Sequence, residues 1–158
     1  MGLVGMGSER IKDNLGEPDI DLNGFQLWVH ARQFPNEWDY WDGNWLNATA
    51  HSGTHDANVW TSGSIIHVPD LVRWLAALET MNQTLSGEAD LGSVEPDLSV
   101  ALKMSSLGQI QMTVEITPDY LSQQHSFKFE LDQSYLENLI ASLRSLLAKY
   151  PVKGKPAV

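Results

Sequence analysis

The chain has 158 residues, of which 42% are apolar, so it is long enough to bury one core. Twenty acidic residues against ten basic ones give a formal net charge of −10, which argues against nucleic-acid binding and favours cationic partners. There is no cysteine, which excludes disulfides, thiolate metal sites and cysteine nucleophiles.

The sequence shows no targeting signal. Its first residues lack a basic segment followed by an apolar run, and no stretch approaches the roughly 18 apolar residues of a membrane span. We therefore expect a cytoplasmic protein with no membrane contact.

Composition divides the chain into three parts. Residues 1–23 are rich in Gly, Asp and Asn with little periodicity, so we expect a partly mobile lead-in. Residues 24–151 carry the periodic apolar positions of a single domain. Residues 152–158 form a short basic tail that contains Lys153 and Lys155.

Three strands are predicted before the first helix. From Gly24, apolar residues occupy every second position, which is typical of a strand with one buried face: Phe25, Leu27, Val29, Ala31. Residues 45–50 predict a second strand and residues 58–66 a third, in which Ser62-Gly63-Ser64 marks a bulge or a break.

The first helix is predicted to begin at Pro69 and Asp70, which suit a first helical turn, and to end within residues 82–87. Apolar residues spaced by three and four define its buried stripe: Leu71, Trp74, Leu75, Leu78, Met81.

The second half repeats this kind of pattern. Alternation over residues 98–104 and 110–116, joined by the Ser105–Gly108 turn, predicts a hairpin, and residues 127–131 predict a further strand. Ser134 and Glu137 match a capping box, after which an apolar stripe continues to a helix end before Pro151. The order βββ-α-βββ-α predicts an α+β fold: one antiparallel sheet of about six strands with two helices on one face. The similar halves suggest an internal pseudo-repeat.

The segment NEWDYWDGNW, residues 36–45, concentrates aromatic and acidic side chains. Within Trp38-Asp-Tyr-Trp-Asp-Gly43, no single strand or helix register buries all three rings while exposing both Asp39 and Asp42, so some aromatic surface should meet solvent or a partner. Exposed Trp and Tyr beside carboxylates suit a protein interface with a cationic partner. The candidate contacts are Glu37, Trp38, Asp39, Tyr40, Trp41, Asp42 and Trp45.

Other interpretations of this segment remain open. The rings could seal one end of the core, or they could stack on a sugar in a small-ligand or carbohydrate-binding module. Trp28 lies opposite the buried alternation of its strand, so we also expect the aromatic loop to cover it and Trp28 and Trp41 to form one patch.

Catalytic and metal chemistry find little support in the sequence. His51, His55 and Asp56 are weak metal candidates, but Ser52 and Gly53 between the histidines favour a loop over a helix face. No nucleophile elbow, phosphate-binding glycine loop or dinucleotide fingerprint occurs. We expect no enzyme activity, no metal and no cofactor.

Four motifs follow one another along the chain: Asp39-Tyr-Trp-Asp-Gly-Asn-Trp-Leu46, Val68-Pro-Asp-Leu-Val-Arg-Trp-Leu75, Val94-Glu-Pro-Asp-Leu98 and Asp132-Gln-Ser-Tyr-Leu136. In this order they resemble the WapI-type immunity proteins, from about Phe25 to Pro151, and the first motif is the most specific. The resemblance implies stoichiometric neutralisation of a secreted bacterial toxin domain, such as a tRNA-cleaving nuclease, without catalysis.

Overall fold

The computed structural model describes residues 14–92 and 96–156, which form two four-stranded antiparallel sheets and two long helices. Sheet A contains β1 (Ile20–Leu22), β2 (Phe25–Arg32), β3 (Trp45–Thr54) and β4 (Ala57–His67). Sheet B contains β5 (Gly87–Leu91), β6 (Leu98–Met104), β7 (Gln109–Ile116) and β8 (Ser126–Asp132). Helix α1 (Val68–Thr84) follows sheet A, and helix α2 (Ser134–Lys149) follows sheet B.

The α+β class and the two helices are confirmed, but the single six-stranded sheet is wrong. Each half of the described chain is a four-stranded meander followed by a helix, in the order ββββ-α-ββββ-α. The two unpredicted strands are β1 and β5, which are short edge strands. The shared element order of the halves agrees with the pseudo-repeat that the sequence suggested.

Strand β1 lies before Gly24, where the sequence analysis expected the folded domain to begin. Ile20 and Leu22 are buried and pair with Leu27 and Phe25, so the folded part begins before Gly24. The remainder of the predicted lead-in includes residues 1–13, which lie outside the described residues.

The core lies between the sheets and beneath the helices. Sheet A meets sheet B where β3 and β4 contact β7, α1 packs along β5, and α2 packs against α1 and β1. Both sheets and both helices supply fully buried side chains, including Phe25, Leu46, Trp74, Leu102, Val114 and Leu143. Each such side chain contributes about 1.5–3 kcal/mol through its removal from water.

Helix α1 matches its prediction. Pro69 lies in the first turn, where no backbone N–H donor is needed, and the predicted stripe faces the core. The helix ends at Leu85, whose left-handed backbone lets its N–H bond the Met81 carbonyl at 2.8 Å. Neither helix of the described chain is both long and apolar enough to cross a membrane.

Two local predictions are wrong. A bulge between Val29 and Ala31 shifts the register of β2, so Ala31 is exposed instead of continuing the buried alternation. The predicted capping box is absent because Ser134 is the first residue of α2 and the preceding Gln133 makes no side-chain cap. Asp132 takes that role, accepting hydrogen bonds from the Ser134 backbone N–H at 2.9 Å and from the Ser134 hydroxyl.

Candidate partner-binding loop

The acidic-aromatic segment lies on the loop between β2 and β3, residues 33–44. The Gln33 N–H donates to the Trp45 carbonyl at 2.8 Å and closes the base of this loop. Within it, Asp39 organises a short 3-10 helix over Asp42–Asn44: its Oδ2 accepts from the Asp42 N–H at 2.8 Å and its carbonyl accepts from the Gly43 N–H at 3.0 Å. The loop is therefore an ordered turn with its own hydrogen bonds.

The aromatic side of the loop is built around His67, at the junction of β4 and α1. The Trp41 ring lies 5.6 Å from the Trp45 ring and 5.0 Å from His67, while Trp45 and His67 lie 4.7 Å apart. His67 Nε2 lies 2.9 Å from the Trp41 carbonyl, and because a carbonyl only accepts, Nε2 carries the proton. The exposed Trp41 ring therefore packs against the buried rings of Trp45 and His67.

The seven predicted contact residues differ in exposure. Trp38 and Trp41 are 71% and 50% exposed, whereas Trp45 is only 7% exposed and supports Trp41 from below. Glu37, Asp39 and Asp42 are exposed, and Tyr40 is half-buried beside His67. The structure therefore brings two solvent-facing indole rings and three carboxylates onto one loop.

Residues from the opposite end of the chain complete the loop, and the sequence analysis missed them. Lys153 follows α2, and its Nζ donates to the Pro35 carbonyl at 2.8 Å and to the Glu37 carbonyl at 2.9 Å. The same ammonium lies 4.2 Å from the centre of the Trp38 ring, a cation–π contact. No local spacing could have found Lys153, because 116 positions separate it from Glu37.

Burial perturbs two charges near the loop. Burial of the Lys153 side chain lowers its pKa, repulsion from Arg32 adds to this effect, and attraction to Glu37 opposes it. Asp70, which is buried in the first turn of α1, has its pKa raised by burial, against the opposing effects of Arg73 and His67. One carboxylate oxygen of Asp70 lacks a hydrogen-bond partner among the described residues.

The expected patch of Trp28 and Trp41 is not formed. Trp28 stacks on Trp60 with ring centres 5.7 Å apart, and its indole N–H donates to the Gly16 carbonyl at 2.9 Å. Trp41 instead contacts Trp45 and His67. The lead-in segment and β4, rather than the aromatic loop, cover Trp28, because β4 places Trp60 on the same sheet face.

The weak metal candidates lie on β3 and in the turn that follows it. His51 lies on β3, not in a loop, and its ring nitrogens lie 2.6 Å and 2.7 Å from amide oxygens of Gln26 and Asn58. His55 lies in the two-residue turn between β3 and β4. In the described ranges no three His, Asp or Glu side chains are grouped to hold a metal ion.

Comparisons with known proteins give a family match and a structural likeness. The model of the immunity protein WapI-like family matches residues 17–151. A chain of the CdiA-CT/CdiI toxin and immunity complex from Enterobacter cloacae is similar over 77% of this chain and 99% of that chain, with 10% identity and a TM-score of 0.43. The comparison with curated proteins finds no significant match.

Proposed function

This chain belongs to the immunity protein WapI-like family, and we propose that it binds and neutralises a toxin domain by stoichiometric occlusion, without catalysis. The finer proposal is that the toxin domain is cationic, as a nuclease that binds phosphate backbones would be. The partner is a protein and not a nucleic acid, because the chain carries a formal net charge of −10.

One observation carries this proposal: the loop between β2 and β3 exposes Trp38 and Trp41 among Glu37, Asp39 and Asp42. Exposed indole rings are the side chains that contribute most to binding energy at protein interfaces. Surrounding carboxylates accelerate encounter with a cationic surface and set its orientation. Tyr40 in the loop and Trp45 at the start of β3 support these contacts through the aromatic cluster around His67.

The ordered state of the loop favours binding over a merely structural role. Its base is closed by Gln33, its turn is organised by Asp39, and Trp41 lies on Trp45 and His67. An ordered loop loses little conformational entropy when a partner binds. The exposed rings are therefore presented in a fixed arrangement.

Affinity capture tests the proposal. The immobilised chain is exposed to a lysate of the source cells at low salt, and the proteins released by rising salt are identified. We expect a basic toxin domain that binds with one-to-one stoichiometry. When expressed alone this domain should arrest growth, and co-expression of the chain should restore it.

Substitutions in the loop test whether the captured toxin domain binds through the proposed contacts. Asp39→Asn with Asp42→Asn should weaken binding of that domain by about 1–3 kcal/mol at low salt, because two steering charges are removed. The matched control is Glu115→Gln with Glu130→Gln, which changes the net charge equally on exposed positions of sheet B. Equal affinity of the loop variant and the wild type would contradict the proposal.

The carbohydrate-binding alternative remains a prediction from the same rings. Lys153 covers one face of Trp38, which leaves its outer face for stacking on a sugar. Binding to a neutral glycan would change little with salt, because no charge pair is screened. Saturable, salt-insensitive glycan binding with no captured protein would favour that alternative.

A further inference from the structure

The segment after α2 returns to the candidate loop and is joined to it through a buried amide. Asn44 is fully buried, and its side chain bridges the two segments. The Lys153 N–H donates to Asn44 Oδ1 at 2.9 Å, while Asn44 Nδ2 donates to the Lys153 carbonyl at 2.9 Å and to the Tyr40 carbonyl at 2.6 Å. One Nδ2 donor and the oxygen of this amide therefore join the loop to the tail, and the other Nδ2 donor bonds within the loop.

The Lys153 side chain adds a second set of contacts to the same loop. Two of its three N–H donors reach the carbonyls of Pro35 and Glu37, and its charge lies over the Trp38 ring. Among the described residues no carboxylate lies within salt-bridge distance of this ammonium. Its bonding is thus directed to the backbone of the loop and to one indole face.

Two glycines allow this close approach. Gly154 has a φ of +65°, and a Cβ added there would lie 2.7 Å from the Tyr40 nitrogen and 3.0 Å from the Trp38 carbonyl oxygen. A Cβ on Gly43 would lie 2.7 Å from the Glu37 carbonyl oxygen of the loop and 3.2 Å from Cδ of Lys153 in the tail. Larger residues at these positions would push the loop and the tail apart.

From these contacts we infer that the C-terminal segment holds the loop in its binding conformation, with Lys153 as a positioning residue that presents Trp38 to the partner. This inference rests on the proposed function. Fixing the loop before the encounter removes an ordering cost that the bound complex would otherwise bear.

The inference also defines how the partner meets Trp38. Lys153 covers one face of the Trp38 indole. An apolar recess on the partner therefore receives the outer face and the edge of that ring. Basic side chains of the partner meet Glu37, Asp39 and Asp42, which carry the exposed charge. Trp38 and the carboxylates therefore have separate counterparts on the partner.

Hydrogen exchange on the free chain tests the positioning role without any partner. Lys153→Met keeps an apolar stem but removes the ammonium, so amides of residues 37–44 should exchange about ten-fold faster while amides of β6 and β7 are unchanged. The control is Lys155→Met, which removes the same charge two residues further along an exposed part of the tail. Unchanged exchange in the loop of Lys153→Met would overturn the inference.

Binding of the captured toxin domain supplies the second readout. We expect Lys153→Met to raise Kd about ten-fold relative to Lys155→Met, because the loop must order on binding. If Lys153→Met does not fold, Lys153→Gln replaces it, since its amide retains a donor.

The two proposals give distinguishable failures. If the Asp39/Asp42 variant weakens binding and Lys153→Met does not, the positioning inference is wrong and the proposed function stands. If no toxin domain is captured, the proposed function fails, and loop exchange in the free chain still decides whether Lys153 orders the loop.

Discussion

Gly53 lies against the backbone of the facing strand in the β3–β4 hairpin. Its φ is +145°, and an added Cβ would lie 2.0 Å from the Ala57 carbonyl oxygen and 2.8 Å from the Asn58 Cα. These atoms belong to the backbone, so they cannot move aside without breaking the pairing of Gly53 with Asn58. We expect Gly53→Ala to lower the free energy of unfolding, as measured by urea denaturation.

Gly63 on the neighbouring strand is the matched control for Gly53. Its φ is +144°, but nothing lies within 4 Å of an added Cβ. Both substitutions carry the same backbone strain, so Gly53→Ala should cost about 1–3 kcal/mol more than Gly63→Ala through overpacking alone. Equal costs would show that the close contact with Ala57 has no energetic effect.

At the candidate site, residues close together in the chain could be predicted from the sequence, and residues brought there from distant positions could not. The run of Trp and acidic residues identified the loop, because all of its members are close in sequence. Lys153 is distant in sequence and carries an ordinary tail composition, so only the fold reveals its contact with Trp38. The exposure of Trp41 and the burial of Trp45 likewise depend on His67, which the sequence places at the end of another strand.

Element prediction succeeded where a periodic pattern was long enough to be read. The β6–β7 hairpin and α1 have five or more apolar positions each, with the period of two of a strand or the spacings of three and four of a helix, and both were predicted. Strand β1 has three residues, and β5 buries only Ala89 and Leu91, so neither shows a recognisable alternation. Predicting two sheets would also require knowing that β4 and β5 do not pair, and this is decided by the intervening α1.

The start of α2 offers a test of which side chain caps a helix. We expect Asp132→Ala to lower Tm by about 2–4 °C, because the Ser134 N–H loses its acceptor. Hydrogen bonds from Ser134 lower the pKa of Asp132, so its contribution is present above the unfolded pKa of about 3.9 and is lost as pH falls through the lower folded pKa. The gap in Tm between wild type and variant should therefore close at strongly acidic pH.

Glu137→Ala is the control for this cap. Glu137 would carry the second half of a capping box, but Asp132 has replaced that arrangement. Its removal should lower Tm less than Asp132→Ala, since only a weak interaction with the helix dipole is lost. A larger fall for Glu137→Ala, by thermal denaturation at neutral pH, would restore the capping box as the better description.

The whole molecule has one continuous core, although its chain is arranged as two similar halves. Buried residues of sheet A, sheet B and both helices belong to the same packed cluster, and β7 contacts β3 and β4 across it. Neither meander can bury its apolar face alone, because that face lies against the other half. The sequence predicted a single domain with two similar halves, but it placed both halves in one sheet, and the packing of two separate sheets arises from contacts between distant segments.

All six tryptophans lie within residues 28–74, so tryptophan fluorescence reports mainly on sheet A, the loop before β3 and α1. Of these side chains, Trp74 also contacts sheet B, where its indole N–H donates to the Ala89 carbonyl at 3.2 Å. We expect Leu102→Ala, a cavity-forming change in β6 of sheet B, to cost about 2–5 kcal/mol and to shift the fluorescence transition in urea. Circular dichroism of both helices should shift by the same amount if the halves unfold together. Lys103→Ala, at the adjacent exposed position, should leave both transitions nearly unchanged. A fluorescence transition that stays at its wild-type midpoint in Leu102→Ala would instead make the two halves separate cooperative units, because damage to sheet B would not then reach sheet A.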